Sequence, residues 1–251
     1  MSWIVVGVDC ATQEARTGLA YGQVDDQGQL DLRRVTLGTA GESAAATVAG
    51  WIAGTPHHIV ALSAPLGWPL PLGPALVGHR AGDALDVEPD RLFRRDTDRF
   101  MHAELGKLPP DVGADRIART ARAALDLLQR IRAAARDPLP LAWEPGASSG
   151  VIEVHPAATL LSRGISASGY KVETAAARKA RSAILGRLMP ELHTAIRSEL
   201  LTEDDDLLDA LVCAVAAADF ARGHALPPPK RARAEREGWI WFRGRGQQKL
   251  F

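Results

Sequence analysis

The sequence predicts an α/β fold built on a mixed five-stranded sheet flanked by helices. Near the N-terminus, three strand-like segments are followed by a helical segment and then by a fourth strand-like segment. Strands joined by a short turn pair antiparallel, whereas a strand that returns after a helix can lie parallel to the first. The 251 residues, 46% of them hydrophobic, suffice for the core of one large domain.

Three strands are predicted in the first 38 residues. Residues 3–11, WIVVGVDCA, form an apolar run that is typical of a strand buried on both faces. Residues 17–24 and 30–38 are also strand-like, and the DDQGQ segment between them has the Asp and Gly content of a hairpin turn. The three segments therefore predict an antiparallel meander.

The rest of the chain alternates helical segments with strands and loops. Residues 42–53 have an alanine-rich helical pattern, and residues 57–65 return as the fourth strand. Residues 64–78 are rich in Pro and Gly and residues 80–110 are charged and irregular, so both are predicted as loops. An apolar stripe predicts a helix at residues 115–136. The remaining predicted elements are a linker at 136–150, a strand at 151–156, and helices at 157–163, 173–188, 191–201 and from 202 onwards.

The charge distribution suggests how the chain is organised. We expect a single domain at residues 1–226, with an insertion at about 65–150, and a basic C-terminal tail at residues 227–251. The whole chain has a net charge of zero, but this tail carries seven Lys and Arg against two Glu. A basic tail near an acidic site suits a polyanionic substrate, and a solvated tail without such a role is the alternative.

The cysteines and the N-terminus indicate a reduced, cytoplasmic location. Cys10 and Cys213 form neither a disulfide framework nor a C-x-x-C zinc motif. The first residues lack the basic region of a signal peptide and reach Asp9 after a short apolar run. No apolar run approaches the ~20 residues that span a bilayer. We therefore expect a soluble protein without a membrane partner. Its oligomeric state stays open, with a homodimer as one option.

The segment TEDDDLLDALVCAVAAADF, residues 202–220, places acidic residues at the start of an apolar helix. Thr202 is a suitable N-cap with Asp205 three residues later, so capping accounts for the first acids. Capping does not account for Asp209, which lies one turn inside the helix, three residues after Asp206. Because like charges so close need a cation or a shared proton, these two aspartates predict a metal site.

Two further carboxylates are expected to reach the same place. Asp9 ends the first strand and Glu153 lies in the last strand, and such ends can converge with the start of a helix on one sheet edge. A turn residue at Asp9 and a salt bridge from Glu153 to an arginine are the alternatives. Together with Asp206 and Asp209, these oxygen ligands favour Mg²⁺ or Mn²⁺. Two such ions about 4 Å apart can support phosphodiester cleavage, so the predicted activity is that of a metal-dependent nuclease.

Basic side chains are candidates for binding the substrate. Arg80, Arg94, Arg95 and Arg99 could hold phosphates, because a guanidinium forms two parallel hydrogen bonds with them. Internal ion pairs are the alternative, given the mixed charges of RRDTDR. Lys171 could neutralise a metal-bound phosphate or be an ordinary surface lysine.

Three other side chains have an open role. His155 could be a ligand or proton carrier, or a half-buried structural histidine. Trp239 and Trp241 could stack on bases or anchor the C-terminus.

The sequence has neither a Walker loop nor a G-x-G-x-x-G motif, so it gives no support for nucleotide binding by a glycine loop.

Successive blocks of the sequence resemble a known family across nearly the whole chain. The blocks are GVDCA at 7–11, ALSAPLGWP at 61–69, RRDTDR at 94–99, VIEVHPAATL at 151–160, YK at 170–171 and DDLLDALVCAVAA at 205–217. In order and spacing they are similar to domain-of-unknown-function family 429, whose members are expected to be nucleases with a ribonuclease H-like fold. The resemblance implies a ribonuclease H-like core, a helical insertion after the fourth strand and a carboxylate metal site. Asp206 and Asp209 also resemble the closing D-x-x-D of Holliday-junction resolvases.

One position departs from the family pattern. This chain reads SAPLG where members of the family typically read DAPLG, so Ser63 replaces a carboxylate at the end of the fourth strand. In ribonuclease H-like enzymes that strand end usually supplies a metal ligand. A catalytically decayed module that binds nucleic acid without cleaving it is therefore an alternative. An actin-like phosphotransferase, which shares the core, is a weaker one.

Overall fold

The fold is organised around one six-stranded sheet. The computed structural model describes residues 2–39, 42–113 and 115–244. The strands are β1 Trp3–Asp9, β2 Gly18–Val24, β3 Leu30–Leu37, β4 His58–Leu62, β5 Ser149–Glu153 and β6 Leu192–Thr194, in the order β5-β4-β1-β2-β3-β6. β1 pairs antiparallel with β2 and parallel with β4, so the predicted meander and the predicted parallel return are confirmed.

The predicted α/β fold with a mixed sheet flanked by helices is confirmed, but the sheet has one strand more than predicted. The helix predicted at residues 191–201 is present only from Ser198 onwards, because residues 192–194 form β6 and pair in parallel with the outer edge of β3. A strand edge leaves backbone groups without partners, and three residues are enough to satisfy some of them. A short helix, Ser198–Glu203, follows β6.

Helices cover both faces of the sheet. In chain order they are α1 Ala44–Ile52, α2 Leu72–Leu76, α3 Pro89–Phe93, α4 Asp96–Leu105, α5 Asp115–Ala135, α6 Pro156–Leu161, α7 Ala175–Leu188, α8 Ser198–Glu203, α9 Asp205–Ala221 and α10 Arg231–Glu237. On one face, α1 and α5 pack over Ile4, Val6 and Val8 of β1. On the other face, α9 packs over Val5. β1 is therefore buried on both sides, as its apolar run predicts.

The helical insertion lies between β4 and β5 and contains α2 to α5. The long helix predicted at residues 115–136 is confirmed as α5. The prediction of loops alone at residues 64–78 and 80–110 is wrong, because these ranges contain α2, α3 and α4. α4 begins with a capping box in which the Asp98 side chain accepts from the backbone N–H of Arg95 at 2.8 Å. Helix α4 is therefore stabilised by its cap and its ion pairs, and not by an apolar stripe that the sequence would show.

Helix α9 is the central packing element of its face of the sheet. Every residue from Asp206 to Ala221 in this 17-residue helix is buried. Its N-cap is Asp204 rather than the predicted Thr202, because the Asp204 side chain accepts from the N–H groups of Asp206 at 2.9 Å and Leu207 at 3.2 Å. An N-cap two residues later than predicted places Asp206 in the first turn of α9.

Two glycines let α9 approach the sheet closely. A Cβ atom on Gly7 of β1 would lie 2.1 Å from the carbonyl oxygen of Ala210. A Cβ on Gly18 of β2 would lie 2.2 Å from the carbonyl oxygen of Asp206. Gly18 is also the strand partner of Asp9. The absence of two side chains therefore brings the start of α9 directly onto the Asp9 end of β1.

We expect Gly7→Ala to destabilise the protein by about 3 kcal/mol, because the added methyl group meets the backbone of α9 and can be accommodated only if the helix shifts. Urea unfolding of the purified variant measures this loss. Gly50→Ala is the matched control, since Gly50 lies inside α1 with nothing within 4 Å of an added Cβ and should stabilise slightly. Equal stability of Gly7→Ala and wild type would contradict the close approach.

The C-terminal segment packs onto the domain as far as residue 244. Trp239 and Trp241 are both buried, and the backbone N–H of Trp241 donates to the carbonyl oxygen of Glu153 at 2.9 Å. The two indoles therefore anchor the chain and are not exposed for stacking on bases. Residues 227–244 of the expected tail lie against the domain, whereas Arg245 and Lys249 fall outside the described residues. Within the described ranges, no helix combines the length and hydrophobicity needed to cross a bilayer.

Candidate functional site

Three of the predicted carboxylates gather where β1 ends and α9 begins. Asp9 is the last residue of β1, and Asp206 and Asp209 face it from the first two turns of α9. The negative charges of both helix aspartates raise the pKa of Asp9. The close packing at Gly7 and Gly18 fixes this arrangement through the backbone, so it does not depend on flexible side chains.

The carboxylate of Asp9 is oriented by Ser63, and the charge of Lys171 only partly offsets its burial. The hydroxyl group of Ser63 donates to Asp9 Oδ1 at 2.6 Å and accepts from the N–H of Cys10 at 2.8 Å. Burial of the carboxylate, reinforced by the negative charge of Asp209, raises the pKa of Asp9 to about 8. Ser63 thus orients the carboxylate of Asp9 without supplying the positive charge that would keep it ionised.

Asp209 is fully buried and contacts two side chains of the segment that precedes α7. The hydroxyl group of Tyr170 donates to Asp209 Oδ1 at 2.7 Å, and the ammonium group of Lys171 forms an ion pair with Asp209 Oδ2. Burial raises the pKa of Asp209, and the charge of Lys171 opposes that rise. Lys171 in turn is held in its charged form, because Asp209 and Asp9 raise its pKa despite its partial burial. Lys171 therefore acts as a cation of the site.

Arg181 of α7 positions this lysine. The buried guanidinium group of Arg181 donates to the carbonyl oxygen of Tyr170 at 2.6 Å and to that of Thr202 at 2.6 Å. It therefore ties the Tyr170–Lys171 segment to the chain just before α9. Sequence reasoning missed this residue, although a signal was present: Arg181 lies on the same helical stripe as the buried Ala177 and Ile184.

Asp206 lies at the outer side of the site and is paired with Arg16. Arg16 Nη2 donates to Asp206 Oδ1 at 3.1 Å, and the Nε to Oδ2 distance is 2.5 Å. Asp204, Asp205 and Asp206 have carboxylate oxygens within 4.8 Å of one another, a spacing that a metal ion can bridge. However, Asp204 caps α9 and Asp206 is bound to Arg16. The pairing with Arg16 was not predicted from the sequence.

The expected roles of Glu153 and Arg95 need correction. Both side chains are buried and form an ion pair with an Nη2 to Oε1 distance of 2.8 Å. Glu153 Oε2 also accepts from the N–H of Leu66 at 2.9 Å, while Arg95 binds Asp98 at 2.9 Å. Both oxygens of Glu153 are therefore occupied, and Arg95 is not exposed to a phosphate. The alternative of a structural salt bridge describes Glu153 better than the metal-ligand prediction.

The other predicted arginines also lie apart from the three aspartates. Arg80 is exposed in the loop between α2 and α3, where its N–H donates to Asp83 Oδ2 at 3.1 Å, and it does not line the cavity beside Asp9. Arg94 and Arg99 both form ion pairs with Asp90. Internal ion pairs, the alternative interpretation of RRDTDR, account for these two arginines.

Comparison with known proteins assigns the chain to a family. The family model described as "Protein of unknown function (DUF429)" matches residues 7–233. The chain belongs to this family. A search of curated proteins found no match. Among solved structures, the Thermus thermophilus RuvC structure matches with 15% identity and a TM-score of 0.35, covering 90% of this chain and 99% of that chain.

The family match spans the whole carboxylate site of this DUF429 chain. It begins at Gly7, two residues before Asp9, and extends beyond Asp209, and so includes Ser63 and Lys171. It ends before the buried tryptophans of the C-terminal segment. The prediction of the family from sequence blocks is thus confirmed.

Asp9 lines two depressions on the surface of the DUF429 protein. One is a cavity of about 370 Å³ bounded by the ends of β4 and β5 and by the segment that contains Lys171. The other is a more open groove of about 510 Å³, where Asp9 lies beside Asp206 and the arginines Arg16, Arg116 and Arg119. Asp9 is therefore accessible from both sides.

The donor set at Asp9 fits a hard divalent cation. Carboxylate oxygens of Asp9, Asp206 and Asp209 and the hydroxyl oxygen of Ser63 are the ligand types that Mg²⁺ and Mn²⁺ prefer. Burial, together with the negative charges of neighbouring acids, raises the pKa values of Asp9 and Asp209, and a positive charge at this place favours their ionised forms. Lys171 supplies part of that charge, so a cation would share Asp209 with it.

Proposed function

We propose that this DUF429 protein is a divalent-metal-dependent nuclease whose site is formed by Asp9, Asp206 and Asp209. The observation that carries the proposal is the meeting of Asp9 with two aspartates of α9 at a buried strand end, where Asp9 has a pKa of about 8. Nucleic acid is the proposed substrate because the groove beside Asp9 combines this acidic site with three arginines.

Each of these residues has a distinct task. Asp9 and Asp209 would hold Mg²⁺ or Mn²⁺. Asp206 would be a third ligand on the solvent side, where it can exchange its ion pair with Arg16 because Arg16, unlike Arg95, is more than half exposed. When bound, such an ion lowers the pKa of a water molecule and stabilises negative charge on a phosphodiester. The hydroxyl group of Ser63 fixes the orientation of Asp9 through its 2.6 Å hydrogen bond. Lys171 balances charge at Asp209.

The groove provides the remaining contacts. Arg119 is exposed, and Arg16 is more than half exposed while it is bound to Asp206. Guanidinium groups in such positions bind phosphate oxygens without reading the sequence. The groove therefore positions a strand across Asp9, and the aspartates act on the phosphodiester at that point.

Cleavage assays test the proposal directly. Labelled DNA and RNA, each as single strands, duplexes and branched molecules, are incubated with the pure protein in Mn²⁺ and in EDTA. We expect Mn²⁺-dependent cleavage that is lost in EDTA and in Asp209→Asn. Failure of the wild type to cleave any substrate in Mn²⁺ would refute the nuclease proposal.

A module that binds nucleic acid without cleaving it is the second candidate. Ser63 and Lys171 favour it, because a hydroxyl stands at the end of β4 and an ammonium group already contacts Asp209. In that case nucleic acid binds equally well in EDTA, and Ser63→Asp should create Mn²⁺-dependent cleavage that the wild type lacks. Binding that requires Mn²⁺ in the wild type would rule against this candidate.

We expect Lys171→Met to bind Mn²⁺ about tenfold more tightly than wild type, because removal of the ammonium group frees Asp209 Oδ2 for the ion. Isothermal titration with Mn²⁺ measures the affinity. Lys179→Met is the matched control, since Lys179 is an exposed lysine on α7, and it should bind Mn²⁺ as the wild type does. Unchanged or weaker affinity in Lys171→Met would show that Lys171 and the ion do not compete.

A further inference from the structure

The cavity beside Asp9 has the dimensions and lining of a ligand pocket. Its volume of about 370 Å³ lies within the range typical of such pockets. Pro65 at the end of β4, Pro156 at the start of α6, and Pro109 and Pro110 before α5 give it apolar walls. Rigid, apolar walls of this kind suit the faces of a flat ring.

A few polar groups converge on this apolar space. Asp9 and Lys171 lie at the end of the cavity next to the carboxylate site. His155 lines the wall, and its Nδ1 atom is buried without a hydrogen-bond partner among the described residues. Burial lowers the pKa of His155 to about 4, so its imidazole is neutral at pH 7 and can both donate and accept. A ligand with a hydrogen-bonding group on its edge can pair with this unpaired ring nitrogen.

The cavity and the cationic groove meet at Asp9. The groove contains Arg16, Arg116 and Arg119, whereas the cavity has mainly apolar walls and is also lined by Lys107, Lys171 and the buried Arg95–Glu153 ion pair. A nucleic acid strand has the same division, with charged phosphates on one side and flat bases on the other. A phosphodiester placed at Asp9 would therefore direct its backbone along the groove and one base towards the cavity.

We propose that the cavity receives one unpaired nucleobase of the strand whose phosphodiester lies at Asp9. This inference rests on the proposed nuclease function and defines its substrate class as nucleic acid with an unpaired nucleotide, in a single strand or at a branch. A base in an uninterrupted duplex is stacked and paired, and its extrusion costs a few kcal/mol, whereas a base that is already unpaired avoids that cost.

Binding measured without turnover tests this inference. Single-stranded oligonucleotides that contain 2-aminopurine, and the same sequences as duplexes, are titrated with protein in Ca²⁺ in place of Mn²⁺. We expect the wild type to bind the single strand at least about tenfold more tightly than the duplex, with a change in 2-aminopurine emission as its base leaves water. Mononucleotides are titrated in parallel as a separate arm.

A cavity-filling variant provides the specific readout. Ala167 lines the cavity and is half-buried, so Ala167→Leu narrows the space without removing any polar group. We expect it to lose at least about tenfold in single-strand affinity and the emission change, while duplex affinity and Tm stay as in wild type. Ala103→Leu, on the exposed side of α4, is the matched control and should behave as wild type.

The possible failures are distinguishable. If single strand and duplex bind equally, or Ala167→Leu binds and cleaves as wild type does, the base cavity is refuted and the nuclease proposal stands. If mononucleotides bind as tightly as oligonucleotides and Ala167→Leu blocks both, the cavity serves a free nucleotide and the inference about the strand is refuted. If the protein neither binds nor cleaves any nucleic acid, the proposed function itself fails.

Discussion

Replacing Asp9 with asparagine should reduce Mn²⁺-dependent cleavage by at least about 100-fold and leave the fold intact. Asp9 is the one aspartate of the site that, among the described residues, forms no ion pair with a lysine or arginine within 4.0 Å. Its charge is therefore the one most available to a metal ion. Cleavage rates and Mn²⁺ titrations measure the loss, and Asp126→Asn, an exposed acid on α5, is the control. Cleavage at the wild-type rate by Asp9→Asn would exclude a direct role.

The same variant should change how stability depends on pH. In the unfolded chain the Asp9 carboxyl loses its proton near the ordinary aspartate pKa of 3.8, whereas the folded protein keeps that proton up to about pH 8. The folded state thus binds more protons between these values, so this group's contribution to stability is lost as pH rises from about 4 to 8. In EDTA, wild-type Tm should fall by roughly 5 °C more than that of Asp9→Asn between pH 5 and pH 9.

Metal should reverse this trend in the wild type. A divalent ion binds ionised carboxylates, so the stabilisation by Mn²⁺ should grow as pH rises towards 8. Thermal melts with Mn²⁺ and with EDTA across this pH range measure both effects in one protein. An increase in Tm with Mn²⁺ that is equal in wild type and Asp9→Asn would place the ion elsewhere.

Local patterns were enough to predict most of the sheet. The apolar run of β1 and the turn before β3 depend on residues close in sequence, and the structure confirms both. β6 has only three residues, and its pairing with β3 depends on a free strand edge more than 150 positions earlier. A segment that is held by a distant backbone carries no periodic pattern of its own, which is why a helix was predicted there.

The site was predictable to the extent that it follows from backbone position. Asp9 at a strand end and Asp209 inside an apolar helix are anomalies that sequence alone reveals, because each is a charge where burial is expected. The ion-pair partner of each buried charge could not be predicted from the sequence, because the partners lie far apart along the chain. Arg16 lies 190 positions from Asp206, and Arg95 lies 58 positions from Glu153. Which arginine neutralises which acid is decided by the fold. Glu153 was therefore assigned to the metal site from its position in the last strand, without knowledge of its pairing with Arg95.

The Arg95 network is where we expect the largest loss of stability. Arg95 is buried with 1% of its side chain exposed, between Glu153 at 2.8 Å and Asp98 at 2.9 Å. Arg95→Met removes the cation and leaves two buried carboxylates without a neutralising positive charge, so it should destabilise the protein by about 3–5 kcal/mol. Glu153→Gln should cost less, because Arg95 keeps its ion pair with Asp98.

A double-mutant cycle separates this structural role from a role in metal binding. The double mutant Arg95→Met/Glu153→Met removes the charges of both partners. Its loss of stability should therefore be smaller than the sum of the losses in the two single mutants. Urea unfolding in EDTA measures all four proteins, and Mn²⁺ titration follows on those that fold. If Glu153 holds the metal instead, Glu153→Gln would keep wild-type stability in EDTA and lose Mn²⁺ affinity. We expect the opposite pattern, because both oxygens of Glu153 already accept hydrogen bonds from Arg95 and Leu66.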